Sequence, residues 1–145
     1  MPPELQEHHF KIASTFGEAA DLAENAATIC ARTSGDSALA DSLRLCLAEA
    51  LNNVVEHAYQ GEGGHEIDVT IGLRKGAFEV IIIDDGRPMP DGAIPDGAID
   101  FDAMEFDELP EGGFGWMLIR NEVDFLGYER RDNRNVLSLG KVQNA

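Results

Sequence analysis

Midway along this chain the spacing of apolar residues changes period, and that change limits the fold more than any other feature. From Ser37 to Tyr59, Leu43, Leu47, Ala50, Leu51, Val54 and Ala58 recur at the spacing of a helix with one apolar side. Glycines 61, 63 and 64 end it. Glu66 to Leu73 then alternates Ile67, Val69, Ile71 and Leu73, the period of a strand with one buried face. A turn at Arg74-Lys75-Gly76 leads to a second strand, Phe78 to Ile83, whose run Val80-Ile81-Ile82-Ile83 predicts a central strand buried on both faces.

The flanks extend this order. Gln6 to Ser14 alternates Phe10 and Ile12 with His9, Lys11 and Ala13, predicting a first strand. Thr15 to Arg32 is rich in Ala, Glu and Leu, with Thr15 and Glu18 spaced as a capping box, and predicts a helix broken at Thr33-Ser34-Gly35-Asp36. Gly113 to Leu126 predicts a third helix, and Tyr128 to Lys141 a closing hairpin around Asp132-Asn133. Few strand-helix-strand crossovers are available in this order. It predicts the α+β class: a two-layer α/β sandwich with a mixed, mostly antiparallel sheet covered on one face by helices. All 145 residues fit one domain.

A long irregular segment, Arg87 to Glu111, interrupts the pattern with four prolines and eight acids against one base. A segment of that length reads either as a lid or binding loop, or as a solvated surface loop. The whole chain carries a net charge of −16, which excludes nucleic acid and anionic membrane as partners, since both require clustered Lys and Arg. Binding a polyanion would need local devices: a metal ion, a helix N-terminus or exposed backbone amides. No apolar run reaches the length of a membrane span, and the polar, acidic stretch Met1 to Phe10 reads as neither signal nor transit peptide, so the cytoplasm is the expected compartment. Cys30 and Cys46 lie in apolar helical stretches and read as small core residues. His8, His9, His57 and His65 show no zinc-like spacing.

Three short motifs carry candidate chemistry. On the second helix, Glu49, Asn52, Asn53, Glu56 and His57 fall within an arc of roughly 140°, opposite the apolar side. This suits a semi-buried site, or simply the solvated face of an amphipathic helix. Asp84-Asp85-Gly86 follows the most apolar strand, placing a carboxylate at the mouth of the core; Asp84 could accept from an exocyclic amine, and Gly86 lets the backbone approach a flat ligand. An ordinary strand-ending turn has the same composition. Gly112-Gly113-Phe114-Gly115 leads directly into a helix, as a phosphate cradle does, though glycines also begin helices for steric reasons.

Taken together and in order, these motifs resemble the N, G1 and G2 boxes of the GHKL ATPases, which share the Bergerat ATP-binding fold. The resemblance spans about Ser42 to Leu126 and is nearest to the small anti-sigma-factor serine kinases. Their Glu-x-x-x-Asn-x-x-x-His-Ala pattern stands here as Glu49, Asn53, His57 and Ala58. The resemblance implies ATP and Mg²⁺ as cofactors, with Asn53 as metal ligand and Glu49 as the general base acting on a protein serine. It implies Asp84 at the adenine amine, Gly86 beside the ring, Gly113 and Gly115 around the phosphates, and His57 among the nucleotide-binding positions. Residues 87–112 would form an ATP lid, with Arg87 and Arg120 the nearby cations for phosphate. The implied partners are a sigma factor and a STAS-type anti-sigma-factor antagonist, with room for a homodimer, and the implied role is control of sigma-factor availability.

Three residues or segments depart from the family pattern. Pro88 stands where many relatives carry the last glycine of Asp-x-Gly-x-Gly, Trp116 stands where Leu is common, and the lid is unusually acidic. Two other readings stay open. One is a non-catalytic module that uses ATP to shape a partner surface. The other is a detached histidine-kinase-type catalytic domain, against which Glu49 argues, because a histidine acceptor needs no such base.

Overall fold

The computed structural model describes residues 6–94 and 113–142. Strand β1 (Gln6–Ala13) leads into helix α1 (Phe16–Ser34) and helix α2 (Ser37–Asn53). The start of α1 is set by Thr15, whose hydroxyl accepts from the Glu18 amide at 3.2 Å. The Glu18 carboxylate reaches back to the Ala13 amide at 3.2 Å, so the expected capping box closes on the last residue of β1 rather than on Thr15 itself. Gly35, in the left-handed region at φ 68°, ends α1 and returns its amide to the Ala31 carbonyl at 2.8 Å. Asp36 then caps α2 by accepting from the Leu39 amide at 3.0 Å.

The helix expected to continue to Tyr59 changes form. After Asn53 the chain widens into a π-helical turn, Val54–Ala58. Strands β2 (Glu66–Arg74) and β3 (Ala77–Asp84) follow, then a single 3₁₀ turn at Pro90–Gly92. Helix α3 (Gly113–Glu122) is shorter than expected, because Phe125 and Leu126 already belong to strand β4 (Phe125–Arg131). Strand β5 (Arg134–Val142) closes the hairpin. Its two-residue turn, Asp132 at φ 53° and Asn133 at φ 64°, has the left-handed backbone that matches strand twist.

The sheet order is β1-β2-β3-β5-β4, and all four described pairings are antiparallel. The mostly antiparallel expectation is thus met without a parallel pair, because each connection returns the chain beside its neighbour in the opposite sense. Ile67, Val69, Ile71 and Leu73 of β2 and Phe78, Val80 and Ile82 of β3 face the helices and are buried. They meet Leu39, Leu43, Leu47 and Leu51 of α2, with Ala19, Ala23 and Ala26 of α1 letting the helices approach closely. Strand β3 is central in order, yet it is not buried on both faces as its sequence suggested. Among the described residues helices cover one face only, and on the other Ile81 is 41% exposed and Glu79 lies in solvent. Both cysteines are free and buried. Burial pushes the Cys46 thiol up to about 12, as expected of a core residue with no role as a nucleophile.

Among the described residues no helix is long and apolar enough to cross a membrane.

Candidate functional site

The last turn of α2 carries the first motif at the helix–sheet boundary. Asn53, the final α-helical residue, is 8% exposed, and Glu49 one turn earlier is half-buried. The Asn53 side-chain nitrogen donates to the Glu49 carbonyl at 2.9 Å, which turns its amide oxygen away from the helix backbone. The π turn then buries Val54 and Val55 together and swings Glu56 and His57 out to solvent. Such widened turns recur at functional sites because they re-aim side chains that a regular helix would stack in register.

The same turn presents the Ala58 carbonyl to the end of β3. It accepts from the Arg87 amide at 2.9 Å. A Cβ on Gly86 would lie 2.6 Å from both the Ala58 Cβ and its carbonyl oxygen, so only glycine allows the chain leaving β3 to pass the end of the helix. Arg87 also reaches back through its guanidinium to the His57 carbonyl, at 3.3 Å. The second motif is thereby locked to the C-terminal end of the first.

Asp84 ends β3 on the helix side of the sheet and is 4% exposed. Its Oδ1 accepts from the Gly86 amide at 2.9 Å and from the Asn135 side chain at 2.8 Å. Burial pushes the Asp84 carboxyl above the ordinary aspartate range, while these two bonds and the Arg130 charge pull it part of the way back. Tyr59 supports the next residue. Its hydroxyl accepts from the Asp85 amide at 2.9 Å and donates to the Glu66 carbonyl at 3.0 Å, while its ring stacks on His65.

The third motif meets the first directly. Gly115, in the first turn of α3, packs so closely that an added Cβ would lie 2.8 Å from Glu49 Oε2 and 3.2 Å from the Asn53 side-chain nitrogen. A carboxylate, an amide and the amino-terminal turn of a helix therefore converge at one place. That turn carries backbone N–H groups with no partner inside the helix and the positive end of the helix dipole. Trp116 beside it is buried in the core. Gly113 opens α3. The far end of α3 is held by Glu122, whose Oε2 accepts from Ser42 of α2 at 2.7 Å and from Lys141 of β5 at 3.1 Å.

Other sequence-derived candidates lie apart from this convergence. His57 projects into solvent. Arg120 is exposed in the last turn of α3, roughly 10 Å along the axis from Gly113 at 1.5 Å per residue. Of the proposed lid only Arg87 to Ile94 is described; 95–112 lies outside the described residues. Three participants were not legible in the sequence motifs: Tyr128, Arg130 and Asn135 of the closing hairpin. One signal was available, since Asn135 falls in the same phase as the buried Leu137 and Leu139.

Comparison with known proteins places the chain in a family. Residues 12–141 match the histidine kinase-like ATPase domain, a GHKL-like ATPase family. The chain belongs to that family. It is also similar to the serine-protein kinase RsbW of Bacillus mycoides, at 26% identity over 104 residues, which is 71% of this chain and 64% of that protein. The RsbW proteins of Bacillus thuringiensis and Bacillus cereus match to the same extent. The chain thus spans a little under two thirds of the length of these relatives.

Proposed function

We propose that this histidine kinase-like ATPase domain binds Mg-ATP and acts as an anti-sigma factor and protein-serine kinase toward a STAS-type anti-sigma-factor antagonist. The observation that carries the proposal is the contact of Gly115 with both Glu49 and Asn53. It brings the Glu49 carboxylate and the Asn53 side-chain amide against a helix N-terminus, groups that can serve phosphoryl transfer in a protein with little positive charge of its own. Similarity to proteins named as serine-protein kinases supports the same reading.

The residues present fit a magnesium ion. Asn53 offers a neutral carbonyl oxygen, its amide nitrogen already committed to the Glu49 carbonyl. Asn53 would hold the ion, which supplies neutralisation of phosphate charge when bound. Asp84 would accept from the adenine amine, and the backbone at Gly86 would lie along the ring. The first turn of α3, at Gly113 and Gly115, would receive the phosphate oxygens. Glu49 would take the proton of the antagonist's serine hydroxyl as that oxygen bonds to the γ-phosphorus and ADP leaves.

The proposal is tested by labelled ATP with the purified antagonist. Asn53→Ala should lose Mg-ATP binding in calorimetry while keeping its thermal unfolding profile. Glu49→Ala should keep ATP and partner binding but lose transfer to serine on the order of 10²- to 10⁴-fold. Transfer unchanged in Glu49→Ala would place the base elsewhere. ATP binding without transfer by the wild type would identify a non-catalytic ATP-dependent module.

A further inference from the structure

The closing hairpin reaches the exit of β3 through three side chains outside all three motifs. Asn135 lies directly across from Asp84 in the β3–β5 register, and Arg130 directly across from Asn135 in the β4–β5 register. The Asn135 nitrogen donates to Asp84 Oδ1 at 2.8 Å and to the Arg87 carbonyl at 2.8 Å. Its oxygen accepts from the Tyr128 hydroxyl and from Arg130 Nη1, the latter at 3.0 Å. Both amide protons and both lone pairs of Asn135 are thus engaged, and an amide satisfied in this way cannot turn. The other two side chains act on the same segment. Arg130 Nη1 donates to the Gly86 carbonyl at 2.8 Å, and the Tyr128 hydroxyl accepts from the Met89 amide at 3.0 Å.

Three backbone groups within Gly86–Met89 are therefore hydrogen-bonded to hairpin side chains, while the Arg87 amide is held from the opposite side by Ala58. Pro88 lies inside this pinned stretch and has no amide to offer, so the segment depends on outside partners for its shape. At Asp84 both protein bonds fall on Oδ1. That commits one carboxylate oxygen to the protein, with no hydrogen-bond partner on Oδ2 among the described residues.

We infer that Asn135, braced by Tyr128 and Arg130, is a positioning residue for base recognition: it sets the plane of the Asp84 carboxylate and the path of the Gly86 backbone, and so controls discrimination between a 6-amino and a 6-oxo purine. The inference rests on Asp84 as the contact to the adenine amine. A 6-oxo purine offers an acceptor there, which a carboxylate repels, and the contrast is sharp only if the carboxylate is held still.

The test is calorimetric titration of Mg-ATP and Mg-ITP into wild type, Asn135→Ala, Asn135→Thr and Tyr128→Phe, with amide exchange at Gly86 and Met89 in the ligand-free proteins. The wild type should prefer ATP. Asn135→Ala should lose ATP affinity on the order of tenfold, keep its ITP affinity, and exchange faster at Gly86. Asn135→Thr, whose hydroxyl supplies a donor in place of the amide nitrogen, should recover part of the preference. Tyr128→Phe should speed exchange at Met89 and lose a smaller part of the preference. If Asn135→Ala does not fold, Tyr128→Phe, which removes a single oxygen, carries the comparison. An undiminished ATP preference in the variants, or equal loss for both nucleotides, would overturn the positioning role alone. Failure of the wild type to bind ATP would overturn the nucleotide-site reading beneath it.

Discussion

Two glycines in this protein exclude a side chain for different reasons, and the difference is measurable. At Gly86 an added methyl would strike the Ala58 carbonyl, a backbone group that cannot move without displacing the helix end. Gly86→Ala should therefore lower stability by about 2 kcal/mol, read as a shift in the urea midpoint. At Gly115 the methyl would meet the tip of the Glu49 side chain, which can rotate away. Gly115→Ala should keep or slightly raise the melting temperature, since alanine favours a helix, yet lose phosphotransfer on the order of tenfold or more by displacing Glu49. Asp84 gives a second prediction at this scale. Its folded-state pKa is raised by burial. Ionisation therefore opposes folding, with no cost below the ordinary value of 3.8 and the full cost above the folded pKa. Asp84→Asn should raise the melting temperature near neutral pH, by an amount that shrinks as pH falls toward 4, while weakening ATP binding. A pH series of thermal unfolding curves beside calorimetry checks both halves.

At the scale of elements, the informative joint is where α2 passes into the π turn. Apolar periodicity across Ser37 to Tyr59 does not distinguish a continuous helix from one with a single widened turn, because both bury Leu47, Leu51 and Val54. Contact with the exit of β3 makes the difference, through the Ala58 carbonyl and the Arg87 amide. The opposite end of the site depends on α3, whose last residue, Glu122, is tied to Ser42 and Lys141. The Ser42 hydroxyl first, and then Lys141, hold the Glu122 carboxyl below its ordinary range. A depressed carboxylate stabilises the native state above its unfolded pKa of 4.5 and loses that contribution as pH falls through the folded value. Glu122→Gln should cost about 1 kcal/mol or less at pH 7, given the partial exposure of the pair, and the gap from wild type should close in acid. Chemical denaturation of both proteins at pH 7 and pH 3.5 reads this directly.

For the whole molecule, the excess of negative charge outweighs every other electrostatic feature. A net charge of −16 on 145 residues stores self-repulsion that mobile ions screen. Raising sodium chloride from 0.05 to 0.5 M, concentrations that shorten the screening length from above about 10 Å to below it, should raise the melting temperature of the ligand-free protein. A fall would mean that favourable ion pairs outweigh the repulsion. The surface ion pairs give little ground for that, since Arg131–Glu129 and Arg134–Asp85 are each more than half exposed.

Residues in local sequence contact were legible from sequence, and residues brought together across the sheet were not. The two-layer class, the order of the elements, the Thr15 helix start and the Asp132-Asn133 turn all follow from spacing and capping chemistry acting over a few residues. So did the three motifs, because each lies within one short stretch. Tertiary structure decided the rest. It left the outer face of β3 open where a run of four branched residues suggested a buried strand, since among the described residues a single layer of helices covers the sheet. It set Gly115 against Glu49 and Asn53, which are far from it along the chain. It also recruited Asn135, 51 residues from Asp84, to hold that carboxylate, because the β3–β5 register places the two side by side. Periodicity carries information about which face of an element is buried; which polar groups meet depends on register and helix docking, and those are fixed only when the whole core closes.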